Sequence, residues 1–190
     1  MKYLLIISCL LLTTVGWSKD VSYDDLLKRE GLYYEKFTDV PYTGEASGKK
    51  SGKILKGIKD GNWLEYWDNG QLKYKENWKD GKKDGEFLEY HENGQLGWKS
   101  NLKEGRPEGK SFYYFENGQI GRESNFKNGR LEGWETYFYK SRTLNSIFYY
   151  KNGEFEGKQQ VWWENGLTKW TGNYKLGKAE GEILDYYENG

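Results

Sequence analysis

The chain has one cysteine, one methionine and one histidine in 190 residues. Cys9 and Met1 both fall in the first 18 residues, a stretch of different character from the rest. Lys2 is followed there by an apolar run from Tyr3 to Val15 and by Gly16-Trp17-Ser18, with small residues at the -3 and -1 positions of a cleavage site after Ser18. That is the pattern of a secretory signal peptide, too short for a membrane span of about 20 apolar residues. A rival reading takes Ile6-Ile7-Ser8-Cys9 as a lipoprotein box that anchors the chain through an acylated Cys9, at the cost of a very short apolar run before the cysteine. Cleavage after Ser18 leaves a chain with no disulfide, thiol nucleophile or thiolate metal site, and so nothing for an oxidising compartment to alter. The expected location is periplasmic or extracellular.

Charge of one sign is also lacking. The 29 Lys+Arg balance 29 Asp+Glu, and removing the leader takes away one base. A neutral chain is a poor electrostatic partner for nucleic acid, and any membrane contact would not be driven by charge. Aliphatic residues are scarce as well. Only 36% of residues are hydrophobic while 18% are aromatic, so burial must come from a few large rings. Aromatic richness with zero net charge opposes disorder.

What the chain does have is self-similarity. From Gly57 it falls into rows of 24 residues without an insertion: 57-80, 81-104, 105-128, 129-152, 153-176 and the half row 177-190. Residues 1-18 are the leader and 19-56 a cap. Self-similarity at this period marks an array of one supersecondary unit, in which each unit contacts its neighbours.

With row positions numbered 1 to 24, glycine holds positions 1 and 5 in every row, from Gly57 and Gly61 to Gly177 and Gly181, with an acid at position 4. Such a loop needs positive φ. Positions 12 to 14 read Asp/Glu-Asn-Gly in five rows, at Asn69-Gly70, Asn93-Gly94, Asn117-Gly118, Asn165-Gly166 and Asn189-Gly190, which is a hairpin signal. A two-residue Asn-Gly turn would pair position 11 with 16 and split the apolar positions between faces. A three-residue loop with glycine in the left-handed bulge position pairs 10 with 16 and 8 with 18. The second choice gathers Leu64, Tyr66, Leu72, Tyr74 and Trp78 on one face, then Leu88, Tyr90, Leu96, Trp98 and Leu102, then Phe112, Tyr114, Ile120 and Phe126. Each row is therefore expected to be two antiparallel strands, at positions 6 to 11 and 15 to 22. The fold expected is all-β, an elongated twisted antiparallel meander of hairpin repeats advancing about 9.6 Å per row.

Row four departs, with Lys140-Ser141-Arg142 in place of Glu-Asn-Gly, and should have the weakest hairpin. In the cap, Ser22 with Asp25 resembles a capping box opening a short helix through Arg29 that stops at Gly31. Leu32 to Phe37 and Tyr42 to Ala46 read as strands, broken by Pro41.

The spacing K-x-G-x-x-[DE]-G, followed by Tyr/Trp pairs, E-N-G-Q-L and a second aromatic strand, resembles the MORN-repeat variant of bacterial proteins. It extends over Gly57 to Gly190, with Tyr42-Thr43-Gly44-Glu45 as a degenerate precursor. Many such chains are identified as YwqK family antitoxins. The resemblance implies β-hairpin repeats used for contacts with proteins or lipids, and no catalytic residues.

Position 11 is the candidate site. Trp67, His91, Phe115, Tyr139, Trp163 and Tyr187 are expected on the mostly polar face as a ladder of rings. One reading is a platform for an extended polypeptide or glycan; the other is packing that stiffens the sheet. His91 has no second histidine or cysteine for a metal site and no placed partners for catalysis. The lysines at position 23, Lys79, Lys103, Lys127, Lys151 and Lys175, read as a solvated edge against aggregation. One carboxylate per glycine loop is too few for calcium. No catalytic residue, metal or cofactor is expected. Two functions stand: an exported binding or structural scaffold whose partner is another protein or an envelope component, and an antitoxin or immunity protein.

Overall fold

The computed structural model describes residues 20-189. The leader, its cleavage after Ser18 and the acylated Cys9 lie outside the described residues.

The cap contains β1 (Val21–Ser22), β2 (Leu26–Arg29), β3 (Leu32–Glu35), β4 (Gly44–Ser47) and β5 (Lys50–Leu55). Rows one and two supply β6 (Ile58–Tyr66), β7 (Leu72–Lys79), β8 (Lys82–Tyr90) and β9 (Leu96–Lys103). In rows three to five the first strand is split at position 4 into a two-residue piece and a longer one. Row three has β10 (Arg106–Pro107), β11 (Gly109–Tyr114) and β12 (Ile120–Lys127); row four has β13 (Arg130–Leu131), β14 (Gly133–Phe138) and β15 (Leu144–Lys151). Row five has β16 (Glu154–Phe155), β17 (Gly157–Trp162) and β18 (Thr168–Lys175), and β19 (Lys178–Asp185) follows. Seventeen of these strands form one sheet, β1 lying parallel to β4 and the rest running as an antiparallel meander. The all-β meander is as the repeat pattern requires.

The cap helix is not formed. Tyr23–Asp25 makes a single 3-10 turn, Ser22 gives no side-chain cap hydrogen bond, and Leu26–Arg29 pairs with Leu32–Glu35 as a hairpin. Glu30 and Gly31 both have positive φ, 49° and 85°, the backbone of a tight two-residue hairpin turn. A helix of two turns is marginal in water, whereas the hairpin buries Leu26 with Tyr33. Of the two strands expected next, the first starts at Leu32 as expected and ends early at Glu35, and the second is shifted to Gly44–Ser47. The cap closes over Tyr42, Ala46, Ile54 and Trp63 as the main apolar cluster. Gly52 is required there, because a Cβ would lie 2.6 Å from the Trp63 ring and 2.7 Å from the Asn62 carbonyl.

The rows repeat one turn at each end. Positions 24 and 1 both take positive φ, as at Asp80 (49°) and Gly81 (74°). At the other end Tyr66 faces Leu72, so position 10 pairs with 16 across the three-residue loop as expected. The next pair corrects the expected register. Glu65 faces Tyr74 and Leu64 faces Lys75, so position 8 pairs with 19 and not with 18. The same shift between positions 9 and 10 recurs at Glu89/Tyr90, Tyr113/Tyr114, Tyr137/Phe138 and Val161/Trp162. It leaves position 17 bulged in every row, at Lys73, Gly97, Gly121, Asn145 and Lys169.

One extra residue per hairpin exchanges the faces of everything beyond it. Positions 8, 10 and 16 share the outer face, while 18 and 22 move to the inner face with 7, 9 and 20. The expected single apolar face is thereby split. The middle of the inner face is the pair 7 and 20: Trp63 with Glu76, Phe87 with Ser100, Ser111 with Ser124, Glu135 with Phe148 and Gln159 with Gly172. Ser111, Ser124, Glu135 and Gln159 are buried although the elements contact chiefly their sheet neighbours. A single layer hides its own middle column only by curling, with the large side chains of positions 9, 18 and 22 closing over it.

Candidate functional site

Buried polar groups must be paired, and this inner column pairs its own. Ser124 Oγ donates to Glu135 Oε1 at 2.8 Å, and Trp98 Nε1 donates to Ser111 Oγ at 2.8 Å. Gln159 accepts from the Tyr149 amide at 2.7 Å and donates to the Tyr149 carbonyl at 3.1 Å, pairing that backbone beside the break between β16 and β17 at Glu156. Burial first, and the Glu135 carboxylate second, push the Tyr150 phenol above its ordinary range.

Near the cap, Lys59 lies over three rings, 3.9 Å from the centre of Trp63, 4.9 Å from Trp78 and 5.6 Å from Tyr23. Burial draws its ammonium down to about 8, with Glu76 opposing. Glu76 itself is held by Lys83 at 2.6 Å and by Trp78 Nε1 at 2.8 Å.

The position-11 rings sit on this inner face, not on the polar outer face. His91 and Phe115 both meet Tyr113 of position 9 edge-on, with centroids 6.5 and 5.7 Å away. Four of the rings lie against the bulged position 17: Lys73 is over Trp67 at 4.1 Å and Lys169 over Trp163 at 4.3 Å, while Gly97 and Gly121 leave room for His91 and Phe115. In rows one to five each ring that has a donor uses it on the position-10 carbonyl of the next row. Trp67 Nε1 donates to Tyr90 O at 3.0 Å, and His91 Nε2 to Tyr114 O at 2.9 Å, which puts a proton on that nitrogen. Tyr139 Oη donates to Trp162 O at 2.8 Å, and Trp163 Nε1 to Tyr186 O at 3.2 Å. Tyr187 is 83% exposed.

A second set of rungs runs beside the first. Asn69, Asn93 and Asn165 donate from Nδ2 to the carbonyls of Glu92, Glu116 and Glu188 at 2.9, 2.8 and 3.0 Å. Their Oδ1 atoms accept the amides of Gln71, Gln95 and Leu167, which shapes each loop. At the opposite edge the position-4 acids of rows two to five accept the position-24 amides, as Glu108 does from Asn128 at 2.7 Å. That capping role was missed in the sequence, although an acid at a constant distance of 20 residues from the turn it caps was visible there. The position-23 lysines are exposed, as expected of a solvated edge.

Between rows three and four both hairpin-edge rungs are missing. Phe115 has no donor. With its nitrogen assigned to the side facing Lys140, the orientation that satisfies both ends of the amide, Gln119 donates to the Lys140 carbonyl at 2.6 Å and accepts from Arg142 Nε at 2.9 Å. The row-four loop keeps its shape by holding Arg142 at φ 72°, where the other loops have glycine. Along this seam the inner face opens into a cleft of about 420 Å³ lined by Tyr113, Phe115, Gly121, Arg122, Tyr137, Phe138 and Asn145. Arg122 stands between the rings of Trp98 and Tyr137, 5.2 and 5.8 Å from their centres. Among the described residues no group of three His, Cys, Asp or Glu side chains is placed to hold a metal ion.

A sheet of identical hairpins joined by repeating rungs defines a repeat protein. Residues 59–80, 83–96 and 107–128 match the family model described as MORN repeat variant. The matched segments start at position 3 of rows one, two and three, so the likeness follows the frame of the 24-residue rows. Among curated proteins no match to the chain is found.

Proposed function

We propose that this is a non-enzymatic, exported scaffold whose sheet binds another protein or an envelope component. The observation that carries this reading is the row-three to row-four seam, where the ring and asparagine rungs are missing and side chains capable of binding line an open cleft. In this reading the position-11 rings stiffen the surface, and the seam recognises the partner. Partly exposed rings and aliphatics such as Tyr113 at 37%, Ile120 at 40% and Trp134 at 56% add contact area on either face.

The alternative is an antitoxin or immunity protein that blocks one effector, motivated by the resemblance of the repeats. Export sets it apart from a neutraliser acting inside the cell. Fractionation with the leader intact and with Ser18→Arg, followed by co-purification from the native cell, tests both. Retention of the unaltered chain in the cytoplasm sinks the export reading. A single stoichiometric toxin partner supports the alternative, and envelope components support the scaffold.

A further inference from the structure

We propose that the seam between rows three and four is a binding site for a peptide segment carrying a carboxylate beside an apolar side chain, a proposal that rests on the protein-binding reading above. Its walls and its polar groups come from different causes and converge on the same place. Position 17 is Gly121, and a Cβ there would stand 2.9 Å from Phe115 and 3.0 Å from Tyr113, so the absence of a side chain is what keeps the floor open. Phe115, lacking a donor, leaves the row-four carbonyl at position 10 without the rung its neighbours have. The resulting space of about 420 Å³ is in the range of small-ligand sites and accepts one or two side chains of an extended segment.

The chemistry of the lining selects for an anion. Arg122 lies between Trp98 and Tyr137, and among the described residues it has no carboxylate within salt-bridge distance. Its neighbour Glu123 is engaged by Lys110 at 2.8 Å, and the buried Glu135 accepts from Ser124 at 2.8 Å, so neither is in direct ion-pair contact with Arg122. The guanidinium makes no hydrogen bond within the described residues, which leaves its N–H donors for a bidentate carboxylate. Lys140 adds a second positive charge, its Nζ 5.9 Å from the Phe115 ring, in a loop where the other rows carry Asp or Glu. The phenols of Tyr113 and Tyr137 and the amide of Asn145 make no hydrogen bond within the described residues, so they are donors available to a peptide backbone. Aromatic walls around one fixed cation suit an apolar side chain next to an acid.

The test uses the chain with two probes, acetyl-Leu-Glu-Phe-Glu-amide and the neutral acetyl-Leu-Gln-Phe-Gln-amide, with a trimer of galacturonic acid as the glycan arm. Calorimetry and the arginine Nε–H resonances report binding. The expected result is saturable binding of the acidic peptide at one per chain, weakened roughly tenfold by Arg122→Gln and several-fold by Lys140→Gln. Lys99→Gln, on the outer face, should leave it unchanged. Lys140 is on an exposed loop, so its variant keeps the test decisive if Arg122→Gln fails to fold. Equal affinity for the neutral peptide, or no effect of either seam substitution, overturns the site. Binding of the uronate and not the peptide overturns the ligand class. A native protein partner that still binds the Arg122→Gln and Lys140→Gln variants refutes the seam while leaving the scaffold reading intact; no protein partner at all removes that reading itself.

Discussion

Phe115→Tyr should stabilise the array, and Tyr139→Phe should weaken it by a similar amount. The two residues occupy the same column one row apart, and Tyr139 donates to the carbonyl of Trp162 at 2.8 Å, 23 residues on. A tyrosine at 115 points its hydroxyl at the equivalent carbonyl of Phe138, also 23 residues on. One intramolecular hydrogen bond is worth about 1 kcal/mol net, because the unfolded chain recovers it from water. The added oxygen is accommodated at the open side of the seam, so little strain offsets it. For a urea slope of about 1-3 kcal/mol/M the midpoint should move by about 0.3-1 M, upward for Phe115→Tyr and downward for Tyr139→Phe. Tryptophan fluorescence and far-UV circular dichroism through a urea series read both. The substitutions are in neighbouring rungs and share the row-four strands, so the double variant should return near the starting midpoint. An unchanged midpoint in Tyr139→Phe together with a lowered one in Phe115→Tyr would refute the ladder, since it would mean that the rings are held by packing alone.

Replacing Lys140-Ser141-Arg142 with Glu-Asn-Gly restores a left-handed glycine in place of Arg142 at φ 72° and an asparagine rung to row five, and should raise stability by about 1 kcal/mol in the same urea assay. Trp63→Ala empties the largest buried side chain of the cap cluster and removes its hydrogen bond to the Lys53 carbonyl, costing about 3-5 kcal/mol by thermal or urea unfolding. Lys59 has a folded pKa of about 8 against an ordinary value of 10.5, so the unfolded chain binds more protons between these values. Its penalty is therefore full below pH 8 and is relieved as pH rises toward 10.5; the stability gained by Lys59→Met should shrink over that window, and a gain constant with pH would contradict the shift. Above pH 10 the Tyr33 phenol, pushed up to about 12 by burial, works the other way, because the unfolded chain ionises first.

Much of the architecture is legible in the residues. The 24-residue period, the asparagine-glycine loops and the paired glycines define hairpins, their number and the pairing of position 10 with 16. The cap is less legible: Glu30-Gly31 serves equally as a helix stop and as a hairpin turn, and burial of Leu26 against Tyr33 decides for the hairpin. The candidate site was legible only in part. The column at position 11 could be found from its aromatic content, whereas Arg122 at position 18 and Gly121 at position 17 carry no motif. Their meaning depends on the bulge, which changes the face of every residue after it without altering the period.

Sequence by itself determined the repeat, the turns and the all-β meander, because turn chemistry and periodicity are local properties that each row states again. Tertiary structure alone decided which face each side chain occupies, since a one-residue bulge inverts the pleat and nothing local announces it. It also decided where the array opens. Phe115 differs from its column mates by one missing donor, and that difference matters only because a carbonyl in the next row stands where the donor would reach.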